Sequence, residues 1–281
     1  MLRALFQYSF IQNAFLCSIL ISVVCGIVGT IIIQKKLVML SGGIAHTSFG
    51  GVGFGYLIGI EPILGAFAFA IAAALGIGYI SKKSHQSSDV ATGIFWSAGM
   101  ASGILFISFT PGYPPDMTSY LFGDILTVSR IDLLLTLILD FIIAFLSFSF
   151  YNCLKAYLFD EEFAAVLKIR TNIINSMIHI IIALTIVILI RAVGIILVLA
   201  LLTAPSAIAA LFSSNLKTII LSSMLISLLS CFIGLWISYS VGISSGASIV
   251  LFTAFLYLTA QIVKKVITAR SNRQIQNQGI S

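Results

Sequence analysis

Nine apolar runs follow one another along the chain, at residues 10–33, 37–60, 62–80, 91–109, 131–151, 172–190, 192–213, 218–239 and 246–263. Each comes close to or exceeds the roughly 20 residues that an α-helix needs to cross a bilayer. Where the separating loop is short the boundary is open, and eight spans is the alternative count. The pattern predicts an all-α, polytopic transmembrane helical bundle, with residues 1–270 as one domain and 271–281 as a polar cytoplasmic tail. The first run is longer than the about 7–15 residues of a signal-peptide core, and no obvious cleavage site follows it, so it reads as a retained helix.

Two segments between the runs carry further information. Residues 110–130, TPGYPPDMTSYLFGDILTVSR, open with Pro111, Pro114 and Pro115, which exclude a regular helix there. The second half is too apolar for a solvated loop. It is expected to fold back as a short re-entrant element, which is tolerated where protein surrounds the backbone. Residues 157–171, YLFDEEFAAVLKIRT, read as a short amphipathic helix. Asp160 is its expected N-cap, Glu161 and Glu162 fall in the first turn, and Lys168 and Arg170 lie near the end, all matching the helix dipole. Phe159, Phe163, Val166 and Leu167 form an apolar stripe, suited to a membrane surface or to a groove on a partner.

Composition sharpens the class. Of 281 residues, 59% are hydrophobic and 9% charged, against about 25% charged in a soluble domain. So little charge cannot cover a water-soluble body of this size, and lipid is the expected solvent. The net charge of +6 is not spread evenly. Lys35, Lys36, Lys82, Lys83, Lys155, Lys168, Arg170, Lys217, Lys264, Lys265, Arg270 and Arg273 occupy alternate loops, and the other face keeps Arg3, Arg130 and Arg191. The positive-inside bias then places the N-terminus outside and the C-terminus inside, with an odd number of spans. The charge reports topology, not a nucleic-acid partner. Glu61, Asp116, Asp124 and Asp132 make the outer face mildly acidic. Such a mouth suits a cation or the basic rim of a docking protein, although short loops also carry acids for solvation alone. Cys17, Cys25, Cys153 and Cys231 show no CxxC pairing and read as small core residues, neither disulfide nor metal ligands.

Candidate chemistry is sparse. The chain has no phosphate-binding loop, no HExxH, no GxSxG, no zinc-spaced His/Cys cluster and no regular arginine ladder. Catalysis and a permanently bound cofactor are therefore not expected, and uphill transport would draw on an ion gradient or a separate ATPase. His46, Asp140 and His179 lie inside spans but are scattered along the chain, which argues against a membrane enzyme. No internal repeat of the secondary-transporter kind is visible. Gly42, Gly50 and Gly53 stand at −4, +4 and +7 from His46 and share its side of the helix. This seam admits another backbone or leaves space before the ring. An imidazole suits zinc, iron and, less exclusively, manganese, so His46 is either a metal contact or a polar link across a tight helix pair. Pro205 interrupts an apolar run and removes one backbone hydrogen bond. Thr203 or Ser206 is expected to re-satisfy the helix in part, and the bend serves either packing or a hinge.

Five stretches carry a resemblance to the metal-type ABC importer permeases, the family that takes up zinc, manganese or iron. They are IIIQKKLVMLSGGIAHTSFGGVGFGYLIG, MTSYLFGDILTVS, FDEEFAAVLKIR, VGIILVLALLTAPSAIA and GLWISYSVGISSGASIVL, and they agree in order and spacing. The resemblance implies a homodimeric permease in the bacterial cell membrane, with the transport path near the dimer axis and FDEEFAAVLKIR as a coupling helix. It implies two copies of a cytoplasmic ATPase that uses the ATP, and an extracytoplasmic metal-binding protein that delivers the ion. Many members of that family carry an aspartate where this chain has Gly42, so the resemblance does not carry over a metal site built on both residues. Permeases for an iron chelate or cobalamin are the related alternative, and a secondary cation transporter the more distant one.

Overall fold

Every one of the nine apolar runs is a helix in the computed structural model, which describes residues 8–83, 88–111, 120–121 and 123–278. The long helices are α1 (Ser9–Gln34), α2 (Val38–Ile58), α3 (Pro62–Lys83), α4 (Ser88–Ser108), α5 (Arg130–Ser149), α8 (Thr171–Val193), α9 (Ile195–Phe212), α10 (Leu216–Val241) and α11 (Ser245–Gln278). Two short ones, α6 (Tyr151–Phe159) and α7 (Glu161–Val166), lie between α5 and α8. Lipid offers no hydrogen bonds, so each span must satisfy its backbone within itself. Buried hydroxyls do the same: Ser18 donates to the Ala14 carbonyl at 2.8 Å and Thr30 to that of Gly26 at 2.6 Å.

Eight of these helices are long and apolar enough to cross a membrane. The remaining long helix, α2, has the length at 21 residues, but its glycines, hydroxyls and His46 dilute its apolar character. It is enclosed instead, between α3 on one side and α4 on the other. Gly51 of α2 meets Gly65 of α3 backbone to backbone, and a Cβ on either would collide with the other's carbonyl oxygen. Absent side chains let the two helices approach this closely and gain dispersion and polar backbone contact. The buried α1 packs against α5, α9 and α10 and forms the centre of the other half.

Ion pairs mark the two ends of the bundle. At the outer end the Arg191 Nε donates to Asp132 Oδ1 at 2.6 Å, and its Nη1 to Glu61 Oε1 at 3.4 Å. At the inner end Lys35 Nζ lies 2.8 Å from Glu161 Oε2. Following the nine helices from an outer N-terminus puts each cluster on the side that the lysine and arginine distribution assigns to it.

The second half of the segment before α5 does fold back. Ile125 is fully buried, and Tyr120, Leu121 and Leu126 pack on the core. Asp124 caps the short 3-10 turn Ile125–Thr127, accepting from the Leu126 N–H at 3.0 Å. Gly123 has φ of 57° and sits against the Val193–Gly194 backbone, where a side chain would collide. The prolines Pro114 and Pro115, with Asp116, lie outside the described residues.

The cytoplasmic segment differs from the single helix expected. α6 runs to Phe159, the chain breaks at Asp160, and α7 covers only Glu161–Val166. Lys168 and Arg170 therefore stand beyond the helix and not in its last turn. The cause is a Schellman end: Ile169 N–H bonds to the Ala164 carbonyl and Lys168 N–H to that of Ala165, with Lys168 at φ 57°. This turns Ile169 inward onto the core. The backbone of α11 continues beyond the expected span to Gln278.

Candidate functional site

His46 sits on the face of α2 that meets α4. Its ring stacks on Trp96 with centroids 4.1 Å apart and planes 12° apart, and its Nδ1 lies 3.4 Å from the Met100 sulfur. Trp96 and Met100 are one helical turn apart on α4, so both reach the same ring. The glycine seam explains the proximity. A Cβ on Gly50 would fall 2.7 Å from the Gly99 carbonyl oxygen, and one on Gly53 would fall 2.6 Å from that of Gly103. Gly42 faces the Trp96 ring, which fills the space beside it. Within residues 40–53, His46 is the one residue that is not buried. Among the described residues no three His, Cys, Asp or Glu side chains gather as a metal site. The sequence reading missed Trp96 and Met100, although the Gly99 and Gly103 pair that docks α4 against α2 is legible at a spacing of four.

The other two intramembrane groups behave differently. His179 is buried, its Nδ1 2.7 Å from the Asn175 carbonyl oxygen and its ring against Gly78. Asp140 is buried in α5, and among the described residues neither of its carboxyl oxygens has a hydrogen-bond partner. It lines a cavity of about 1250 Å³ that opens between α1, α5 and α10 toward Tyr151 and Lys217 at the inner end. A buried polar group without a partner costs about 1–3 kcal/mol. Asp140→Leu is accordingly expected to raise the stability of the purified chain in detergent by on the order of 1 kcal/mol, read from its unfolding midpoint. A fall would mean that the Asp140 carboxyl is stabilised within the isolated chain or by water in the cavity.

The cytoplasmic element is built from both sides of the break. The Asp160 carboxylate accepts from the Phe163 N–H at 2.9 Å, as its N-cap role requires. Phe163, Val166 and Leu167 are 55%, 79% and 53% exposed, and Phe159 at the end of α6 is 53% exposed. Among the described residues nothing covers this apolar surface. Its base is held firmly. Lys35 reaches from the end of α1 to Glu161, with its ammonium 3.8 Å above the Tyr157 ring. Tyr157 is buried and donates from its hydroxyl to Asn175 Oδ1 of α8 at 2.9 Å. Burial pushes the Tyr157 phenol above its ordinary range, which keeps that proton in place. Lys35 and Tyr157 carried no signal in the sequence, since nothing local pairs residues so far apart.

Pro205 is buried within α9. The two hydroxyls expected to relieve it bond elsewhere: Thr203 donates to the Leu199 carbonyl at 2.7 Å, and Ser206 lies 2.6 Å from the Ser223 hydroxyl of α10. A hydroxyl reaches its own helix one turn back, and from these two positions that turn is not the one Pro205 disturbs. On the outer face Glu61 and Asp132 share Arg191, while Asp124 caps its turn and accepts from Ser245 at 2.5 Å.

Comparison with known proteins agrees with this architecture. The chain is 40% identical over 258 residues to an uncharacterised membrane protein of Synechocystis, covering 92% of each. It is 34% identical over 259 residues to the manganese transport system membrane protein MntC of Listeria monocytogenes, again covering 92% of each. Among solved structures, PsaBC from Streptococcus pneumoniae in complex with Fab matches with a TM-score of 0.82 and 32% identity, over 92% of this chain and 93% of that one. Residues 7–264 match the ABC 3 transport family, and the chain belongs to that family.

Proposed function

We propose that this chain is the membrane-spanning subunit of an ATP-driven importer for a divalent metal ion in the bacterial cell membrane. It works as one of two copies, with a separate cytoplasmic ATP-binding protein and an extracytoplasmic protein that delivers the ion. The observation that carries the reading is the cytoplasmic element. α7 presents an uncovered apolar face at one end of the bundle, while Lys35 and Tyr157 tie its base to α1 and α8. A protein seated on that face and changing shape would move α1, the buried centre of one half. His46, partly open beside a helix seam, is the proposed contact for the ion in transit. A site with few ligands suits a pathway, because the ion must also leave. Pro205 serves as a candidate hinge where α9 meets α1 and α10.

Liposomes holding the chain with its ATP-binding subunit should accumulate a divalent metal when ATP is supplied, and neither component alone should do so. Accumulation driven by an ion gradient without the ATP-binding subunit would replace this reading by that of a secondary transporter.

A further inference from the structure

The contact between His46 and Met100 goes beyond holding two helices together. Two donor atoms on one tetrahedral ion stand about 3.5 Å apart when nitrogen lies at about 2.1 Å and sulfur at about 2.3 Å, as in a zinc–thiolate bond, and a neutral thioether stands slightly farther away. Nδ1 of His46 and the sulfur of Met100 are 3.4 Å apart, so the pair has the spacing of a chelate without any movement of either helix. The Trp96 stack holds the imidazole plane against rotation, and the Gly50–Gly99 and Gly53–Gly103 contacts hold α2 and α4 at the distance that brings the two side chains together. Met100, like His46, is only partly buried, so an ion can reach the pair. Without an ion, an Nδ1–H makes a weak hydrogen bond to the thioether, and the arrangement persists.

We infer that Met100 supplies the second protein donor of the ion site at His46, and that this imidazole and thioether pair favours zinc or ferrous iron over manganese. The inference rests on the reading of His46 as an ion contact given above. The chemistry decides the direction of the preference. Thioether sulfur is a soft donor that suits zinc and copper(I), imidazole suits zinc and iron, and manganese is served best by carboxylate, carbonyl and water oxygen. The space beside His46 at Gly42 is occupied by the Trp96 ring, and among the described residues no three His, Cys, Asp or Glu side chains gather there. The remaining ligands are water or the same pair from a second copy, which would complete a set of two nitrogens and two sulfurs.

The test uses the assembled transporter in liposomes and compares wild type with Met100→Leu, a near-isosteric change that keeps the packing. Concentration series of zinc and manganese give KM and maximal rate for each. Loss of the sulfur is expected to raise the zinc KM about tenfold and leave the manganese KM within about twofold, a free-energy change confined to the softer ion. A second readout needs no transport: zinc-edge X-ray absorption of the purified chain should show a sulfur neighbour that Met100→Leu removes. An unchanged zinc KM, an equal shift for both ions, or a wild type that prefers manganese would each overturn the inference. A wild type that accumulates no divalent ion with ATP would overturn the import reading itself, and the absorption result then judges the ligand pair separately.

Discussion

Phe163→Asp is expected to leave the chain folded and inserted but to cut metal uptake by about tenfold or more, the equivalent of losing one buried aromatic anchor at an interface. Several features make this substitution selective. Phe163 is 55% exposed, so its ring contributes little to the core of the isolated chain. It stands in the first turn of α7, three residues after the Asp160 cap, where a carboxylate is favoured by the helix dipole. The backbone bond from the Phe163 N–H to Asp160 remains available after the change. Helix formation is thus preserved while an apolar anchor becomes a charge that a partner would have to desolvate. ATP hydrolysis by the complex, the amount of complex recovered and metal uptake should be measured together. Hydrolysis that continues while uptake falls marks uncoupling, and poor recovery marks lost docking. Wild-type coupling in the variant would show that α7 is not the contact, and Val166→Asp, at the more exposed position, would then be silent as well.

The second large effect is expected at His46. His46→Ala should reduce metal uptake at least about tenfold at unchanged levels of assembled complex, since one ligand of a transit site is worth more than ~1.4 kcal/mol. The helix pair around it does not depend on the ring. Gly50 against Gly99 and Gly53 against Gly103 carry the approach of α2 and α4, and the stack on Trp96 adds only about 0.5–1.5 kcal/mol. His46→Phe separates the two roles: it keeps an aromatic face for Trp96 and removes both nitrogens. Uptake lost in both variants assigns the ring a chemical role. Uptake retained in the phenylalanine variant would leave His46 as packing, and the Met100 contact with it.

Much of the molecule was legible from local pattern. The nine apolar runs became the nine long helices because a bilayer leaves a chain few alternatives to helices for its backbone. The alternation of lysine and arginine gave an expected orientation, and the Arg191 and Lys35 ion pairs lie at opposite ends of the bundle. The Asp160 cap was readable because capping involves only residues three apart. What local pattern misjudged was the length of α7. The left-handed turn at Lys168 that ends it is made with a lysine, without the glycine that usually signals such a turn.

Only the tertiary structure decided which faces meet. Nothing in the chain's order announces that Met100 lies against His46 across 54 residues, that Arg191 serves both Asp132 and Glu61, or that Lys35 reaches Glu161. The reason lies in the solvent. In water the buried side of a helix is apolar and the outer side polar, so periodicity reveals the facing. In lipid both sides are apolar, the hydrophobic contrast vanishes, and packing is chosen by small residues and shape. Glycines therefore carried what little facing information the sequence held. They told that something comes close to His46, and the fold alone told that it is Trp96 and Met100.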